Sequence, residues 1–299
     1  MRPDVSVIIP TNRPPATLEP CLLALVAQSL PLERFEVLVI NDGATHDLSV
    51  LAQRMRTHGL QLRVCDVTKG GPGAARNHGA GEAVGDLLVF TDDDCVPERE
   101  WLAAFAAAAL QHPKALLGGH VFNLLTHRPA SEASQVLVEF LYAYYNSDPL
   151  DARFFTSNNI AASRTAFLAH GGFDPAFTLN AGEDRDMCAR WHELGDRLVS
   201  VPGARIGHAH DLQLRRFWMQ HYRYGMGAAT YWEARRRSTG AGLTVEPVKF
   251  YRDLMLYPLR HRPLPSAVVS TLLIAIGQIA NALGFFATAR QYPRFSRGS

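Results

Sequence analysis

The stretch Asp86-Leu87-Leu88-Val89-Phe90-Thr91-Asp92-Asp93-Asp94 decides the reading of this chain. Its apolar half reads as a short strand buried on both faces, as in a parallel sheet. Its acidic half then stands at the strand's C-terminal end. Adjacent carboxylates repel one another unless a cation sits among them. Oxygen ligands of this kind suit Mg²⁺ or Mn²⁺, and such a cation can hold a diphosphate. Taken alone, the run is as readily a solvated acidic turn, so the neighbouring sequence has to decide.

Upstream, the same pattern repeats. Strands are expected at 5–9, 35–40, 60–64 and 86–90, with helices at 17–28, 47–57 and 73–81 between them. Pro, Gly and Asn-Asp punctuation separates the segments. Alternation of this kind implies an α/β fold, a mostly parallel sheet with helices on its faces. Ligands of such sheets bind beyond the C-terminal strand ends. Pro10-Thr11-Asn12, Asn41-Asp42-Gly43 and Asp92-Asp93-Asp94 all follow strands, so they are expected to converge on one crevice.

Composition removes several function classes. The 299 residues are 47% hydrophobic, enough for one large domain or two modest ones. A net charge of +2 does not suggest nucleic-acid binding. Cys21, Cys65, Cys95 and Cys188 form no CxxC pair, which argues against a disulfide framework or zinc site and fits a reducing cytosol. No signal peptide is expected at the N-terminus, where the first apolar run is too short.

Asp42 can accept a hydrogen bond from a pyrimidine ring N–H, or it can close an Asx turn in Asn41-Asp42-Gly43. In Lys69-Gly70-Gly71-Pro72-Gly73-Ala74-Ala75-Arg76-Asn77, glycines allow close backbone approach and the following helix points N–H groups at an anion. No Gly-Lys-Ser/Thr follows, so this is not a Walker loop. Arg76 would place a fixed positive charge near a nucleotide, unless it is an ordinary surface arginine.

Four segments together resemble the family 2 glycosyltransferases. They are Val5-Ser6-Val7-Ile8-Ile9-Pro10-Thr11, Ile40-Asn41-Asp42-Gly43, Gly73-Ala74-Ala75-Arg76-Asn77 and Phe90-Thr91-Asp92-Asp93-Asp94. Their order and spacing follow the family to about residue 210. The resemblance implies a GT-A type Rossmann-like fold, a nucleotide-sugar donor, Mn²⁺ or Mg²⁺, and inversion at the anomeric carbon. It makes Asp42 the base-binding acid, and Asp92 and Asp94 the DxD ligands of metal and ribose-diphosphate. Pro10, Thr11, Arg76 and Asp93 join Asp42 and Asp92 as expected nucleotide-sugar contacts. Asn41 stands where many members carry a second Asp, which would retune nucleotide contacts.

The acceptor side is expected in the second half. Thr156–Ala161 gives a polar turn followed by small apolar residues, and Gly171-Gly172-Phe173-Asp174 looks like the family's acceptor-side segment. Glu183, Asp184 and Asp186 then open a helix, where acids often serve only as caps and dipole partners. The resemblance makes Asp184 the general base. A histidine that completes the metal shell in some members corresponds to His208, with His210 close enough to compete.

The remainder differs in character. Residues 214–237 interleave arginines with aromatics, which suits a membrane interface, a nucleic-acid face or a solvated helix with a packed aromatic side. Residues 266–289 carry no charge and are long enough to span a bilayer. Ser266, Ser270, Gly277, Asn281, Gly284 and Thr288 fall on one helical stripe, a packing face in a membrane or against the protein. The expected division is therefore 1–212, with a nucleotide-sugar half (1–118) and an acceptor half (119–212), followed by a helical, membrane-associated region (213–299). The function expected is metal-dependent inverting glycosyl transfer from a uridine or thymidine diphosphate sugar to a lipid-linked or polysaccharide acceptor, at the cytoplasmic face of a membrane. The alternative is a non-catalytic nucleotide-sugar-binding component of a polysaccharide assembly complex. A nucleotidyltransferase is disfavoured, because Thr11-Asn12-Arg13-Pro14-Pro15 replaces the glycine-rich loop it would need after the first strand.

Overall fold

β1 (Val5–Thr11) and β2 (Phe35–Asp42) are buried at every position and mostly apolar, with Ser6 donating to Glu36 at 2.6 Å where polar residues interrupt them. β3 (Leu62–Val67) and β4 (Leu87–Thr91) complete a parallel group, with β1 between β2 and β4. The connecting helices are α1 (Pro15–Val26), α2 (Ser49–Thr57) and α3 (Pro72–Glu82). α1 and α3 both carry proline in the first turn, where its missing N–H costs nothing. The computed structural model describes residues 2–179, 181–240 and 243–292; the end of the expected 213–299 region lies outside them.

Four further strands extend the sheet: β5 (Cys95–Pro97), β6 (Leu116–Asn123), β7 (Asn159–Ser163) and β8 (Leu198–His208). The order across the sheet is β3-β2-β1-β4-β7-β6-β8-β5. Beyond β4 the pairings β4–β7, β6–β7 and β5–β8 are antiparallel, so the parallel character belongs to the N-terminal strands. Between them lie α4 (Trp101–Gln111), α5 (Pro129–Tyr145), α6 (Arg164–Ala169) and α7 (Glu183–Glu193). The main core packs Leu18, Leu22 and Leu25 of α1, Met55 of α2 and Trp101 and Phe105 of α4 with the strands. Asn159 ties the second half together. It accepts from Trp101 Nε1 at 2.8 Å and donates to the carbonyls of His120 and Ala204, both at 3.0 Å. The polar turn expected on the acceptor side thus contains a buried structural knot.

α8 (Leu214–Thr239), α9 (Val248–His261) and α10 (Leu264–Ala289) close the chain. Contacts divide the chain into Met1–Phe122 with Tyr145–Thr178 and Asp184–Ala209, and a second unit of Asn123–Tyr144, Leu179–Glu183 and His210–Ser299. This departs from the expected 119–212 half, because most of α5 belongs with the C-terminal helices. Arg262 explains the difference. It bonds Glu132 of α5 at 2.6 Å and both oxygens of Glu139 at 2.9 Å, while Phe140 packs its ring 5.1 Å from Phe250.

Within the second unit, α8 and α10 approach backbone to backbone. A Cβ on Gly284 would lie 1.9 Å from the Tyr222 carbonyl oxygen, and one on Gly225 would lie 1.8 Å from that of Asn281. Ser270, Gly277, Gly284 and Thr288 of the expected small-residue stripe are buried. The opposite face exposes Leu264, Val268, Leu272, Ile276, Ile279, Leu283 and Phe286. The basic-aromatic helix is also less open than its composition suggests. Buried Glu233 accepts from Arg236 and Arg237, each at 2.7 Å, and Arg235 is itself buried.

Candidate active site

β1 ends at Thr11, β2 at Asp42 and β4 at Thr91, so three strand ends open on the same side of neighbouring strands. The β1–β4 register pairs Ile8 with Phe90. Carried three residues further, it brings Thr11 level with Asp93, and Thr11 Oγ1 donates to Asp93 Oδ2 at 2.6 Å. Asp93 and Asp94 are buried. Arg13 meets both charges: Nη2 lies 2.8 Å from Asp93 Oδ1, and Nη1 lies 2.8 Å from Asp94 Oδ2. Burial pushes the Asp93 carboxyl up to about 6, against the opposing pull of Arg13 and Thr11. Pro10 lies buried within β1 and has no N–H to offer.

Asp92 has a different partner. Arg76, only 1% exposed on α3, places Nη2 at 2.5 Å from Asp92 Oδ1 and its guanidinium 5.4 Å from the Phe173 ring centre. The ordinary surface-arginine reading of Arg76 is therefore excluded. The Asp92 side chain remains 23% exposed. Asp42 is buried and accepts from the amides of Gly70 at 2.7 Å and Gly71 at 3.1 Å. It thus fastens the glycine loop that leads into α3. A carboxylate has roughly four lone-pair sites, so this leaves acceptor capacity for a base N–H.

β5 returns antiparallel to β8 and sets Cys95 opposite His208. Asp94, one residue before β5, then lies with Oδ1 3.2 Å from His208 Nε2. Asp94, Cys95 and His208 offer ligand atoms within 4.8 Å of one another, the group among the described residues able to share an ion. Burial pushes the Cys95 thiol well above its ordinary value. Beside the thiol the group offers an imidazole nitrogen and a carboxylate oxygen, and the carboxylate suits Mn²⁺ or Mg²⁺. Burial lowers the His208 pKa, but the hydrogen bond and charge of Asp94 outweigh it and the net shift is upward. Asp92 stands outside this group, on Arg76. His210 is not among these three residues, and its backbone carbonyl accepts from Ser131 Oγ at 2.6 Å.

Asp184 sits in the first turn of α7, half-buried, with Oδ1 2.8 Å from the Arg185 amide. Burial raises its pKa; the Arg185 amide and the charge of Arg76 oppose the rise without cancelling it. Arg76 therefore lies within electrostatic reach of Asp184 while it is paired to Asp92. The loop preceding α7 is clamped from two sides. Asn77 accepts from the Phe173 amide at 2.8 Å and donates to its carbonyl at 2.7 Å. Arg190 donates to the carbonyls of His170 at 2.5 Å and Gly172 at 2.6 Å, and to Asp186 at 2.7 Å. Gly172 is required there. Its φ is +61°, and a Cβ would lie 2.5 Å from Asn77 Oδ1. Asp186 is thereby committed to Arg190.

Sequence reasoning missed Arg13, Asn77 and Arg190. Asn77 was inside a quoted motif without a role. Arg13 had one available signal, a cation two residues beyond a strand end that faces an acidic strand end.

A family model described as glycosyl transferase family 2 matches residues 6–169. A pre-mycofactocin glycosyltransferase of Mycobacterium tuberculosis is 27% identical over 236 residues, which is 76% of this chain and 47% of that protein. The chain thus spans about half the length of this curated relative. Among solved structures, a mannosyltransferase from Pyrobaculum calidifontis (PcManGT), in complex with GDP-Man and Mn²⁺, aligns over 99% of this chain and 83% of its own, with a TM-score of 0.60 and 22% identity. Residues 1–349 of TarS from S. aureus, in complex with UDP, align over 98% and 92%, with a TM-score of 0.53 and 16% identity. The parallel group ending in Thr11, Asp42 and the acidic run, the mixed sheet beyond it and the family match agree: the chain has a GT-A type fold and belongs to glycosyl transferase family 2.

Proposed function

We propose that the chain transfers a sugar from a nucleotide diphosphate sugar to an acceptor hydroxyl, with inversion at the anomeric carbon and dependence on Mn²⁺ or Mg²⁺. The observation that carries this reading is Arg76, paired to Asp92 of the acidic run and within the field of Asp184. One buried cation thereby links the donor-side carboxylate to the candidate base. Asp94 and His208 would hold the metal, which when bound would offset charge on the departing diphosphate. Asp42 would accept the N3–H of uracil or thymine, favouring uridine or thymidine donors. Asp184, made more basic by burial, would take the acceptor hydroxyl proton as the oxygen attacks the anomeric carbon. A binding component would have no use for such a group. Turnover of nucleotide sugars with and without Mn²⁺, in wild type and Asp184→Asn, tests this reading.

The acceptor we infer is lipid-linked or a polysaccharide presented at the cytoplasmic face of a membrane. The exposed apolar stripe of α10 supports it, and Arg290 continues that stripe at the helix end. Because the opposite face is buried, the stripe suits a helix lying in the plane of a bilayer surface rather than crossing it. Sedimentation of the protein with anionic vesicles tests the placement.

A further inference from the structure

Arg13 plays no part in the activity as described so far, yet it makes the closest cationic contacts to the two buried acids of the site. Its guanidinium forks across Asp93 Oδ1 and Asp94 Oδ2, both at 2.8 Å. Those carboxylates are nearly inaccessible, with 3% and 4% of the side chains exposed, whereas Arg13 is 44% exposed. The acids are fixed and the cation reaches them from solvent. Asp94 is shared. Its second oxygen faces His208 Nε2 at 3.2 Å. A cation held by Asp94 and His208 must therefore draw on the same negative charge that Arg13 neutralises. Two cations of combined charge about +3 around two carboxylates repel, and the burial of those carboxylates strengthens the repulsion.

We propose that Arg13 is a competing counter-cation that weakens divalent metal binding at Asp94 and His208. The inference rests on the reading of that pair as the metal site. Arg13 keeps the buried carboxylates neutralised until the metal displaces it, and its half-exposed side chain lets it leave without unpacking the core.

The test is direct titration of Mn²⁺, following loss of the free-ion paramagnetic resonance signal, with no sugar donor present. Arg13→Met preserves the stem and removes the charge; Arg13→Lys keeps a charge but cannot fork across two carboxylates. Arg13→Met should bind Mn²⁺ about tenfold more tightly than wild type, a change of about 1.4 kcal/mol. Arg13→Lys should lie between the two. Saturating Mn²⁺ should raise the melting temperature of Arg13→Met more than that of wild type, because the ion replaces the lost counter-charge. If Arg13→Met fails to fold without metal, Arg13→Lys carries the comparison. Equal or weaker Mn²⁺ binding in the variants, with Asp94→Asn abolishing it, overturns the role of Arg13 and leaves the metal site standing. No Mn²⁺ binding by wild type, or binding unaffected in Asp94→Asn, removes the metal site and the inference together.

Discussion

The acidic run at the end of β4 and the apolar helix α10 are both segments of extreme composition, and the protein treats them in opposite ways. The acids are drawn inward, and their charges are neutralised by Arg13 and Arg76. The apolar helix buries only one face, against α8, and presents the other outward. The difference is one of reach. A buried charge is costly unless a partner is within a few ångströms, so an acidic run at a strand end demands nearby cations or a metal. An exposed apolar stripe carries a smaller cost per residue and is tolerated where a further surface covers it.

The strongest way to break this contrast acts on the chemistry. Asp184→Asn should leave donor affinity within a few-fold while turnover falls by about 10² or more, the usual reach of general-base catalysis. Equal turnover would transfer the role to another group. Glu183 is then the first alternative, since Asp186 is held by Arg190.

On the helical side, acid should loosen the second unit. His221 on α8 is buried against Phe217 and Gly277, and burial lowers its pKa to about 4 from the ordinary 6.5. The unfolded chain takes up this proton before the folded one does. Stability should therefore be full above pH 6.5 and fall as pH drops toward 4, by up to about 3 kcal/mol. Chemical denaturation across that range should show a shallower decline in His221→Phe; an unchanged slope would place the titration elsewhere.

The helix contact itself gives an effect of similar or smaller size. Gly284→Ala inserts a methyl where the Tyr222 carbonyl already stands, and should cost about 1–3 kcal/mol. A neutral result by thermal melting would mean that α8 and α10 separate easily. Removal of the chain from Pro263 onward should uncover the buried face of α8 and yield an aggregating protein. A soluble, folded remainder would mean that α8 does not need this cover. The smallest expected effect on stability comes from Leu272→Glu with Ile279→Glu on the outer stripe. It should stay within about 0.5 kcal/mol by melting, as exposed positions usually do, while abolishing co-sedimentation with anionic vesicles. Retained sedimentation would sink the in-plane reading of α10.

β1, β2 and β4 were legible because each is buried along its length and bounded by turn residues, whereas β3, only partly buried, was legible from the alternation of strands and helices; the acidic run was legible through the motifs that accompany it. β5 to β8 were not. They are short or mixed with glycine and proline, and their pairings bridge distant segments, as when β5 meets β8 across a hundred residues of chain. Asp42 shows a subtler limit. The sequence offered a base-binding acid or a turn-former, whereas its carboxylate fastens the Gly70–Gly71 loop with acceptor capacity to spare. For α10, composition could not separate a membrane face from a packed face because the helix carries one of each. Arg13 escaped notice because a lone arginine in a proline-rich turn looks like surface until its partners across the sheet are known.

The acidic strand end, with His208 beside it, is proposed to be a metal-dependent site for a nucleotide diphosphate. Calorimetric titration of UDP, dTDP and GDP, with and without Mn²⁺, tests it most directly in wild type and Asp94→Ala. Metal-dependent binding is expected in wild type, tighter for UDP or dTDP than for GDP, and lost in the variant. Nucleotide binding that is indifferent to Mn²⁺, or that persists unchanged in Asp94→Ala, would contradict the account.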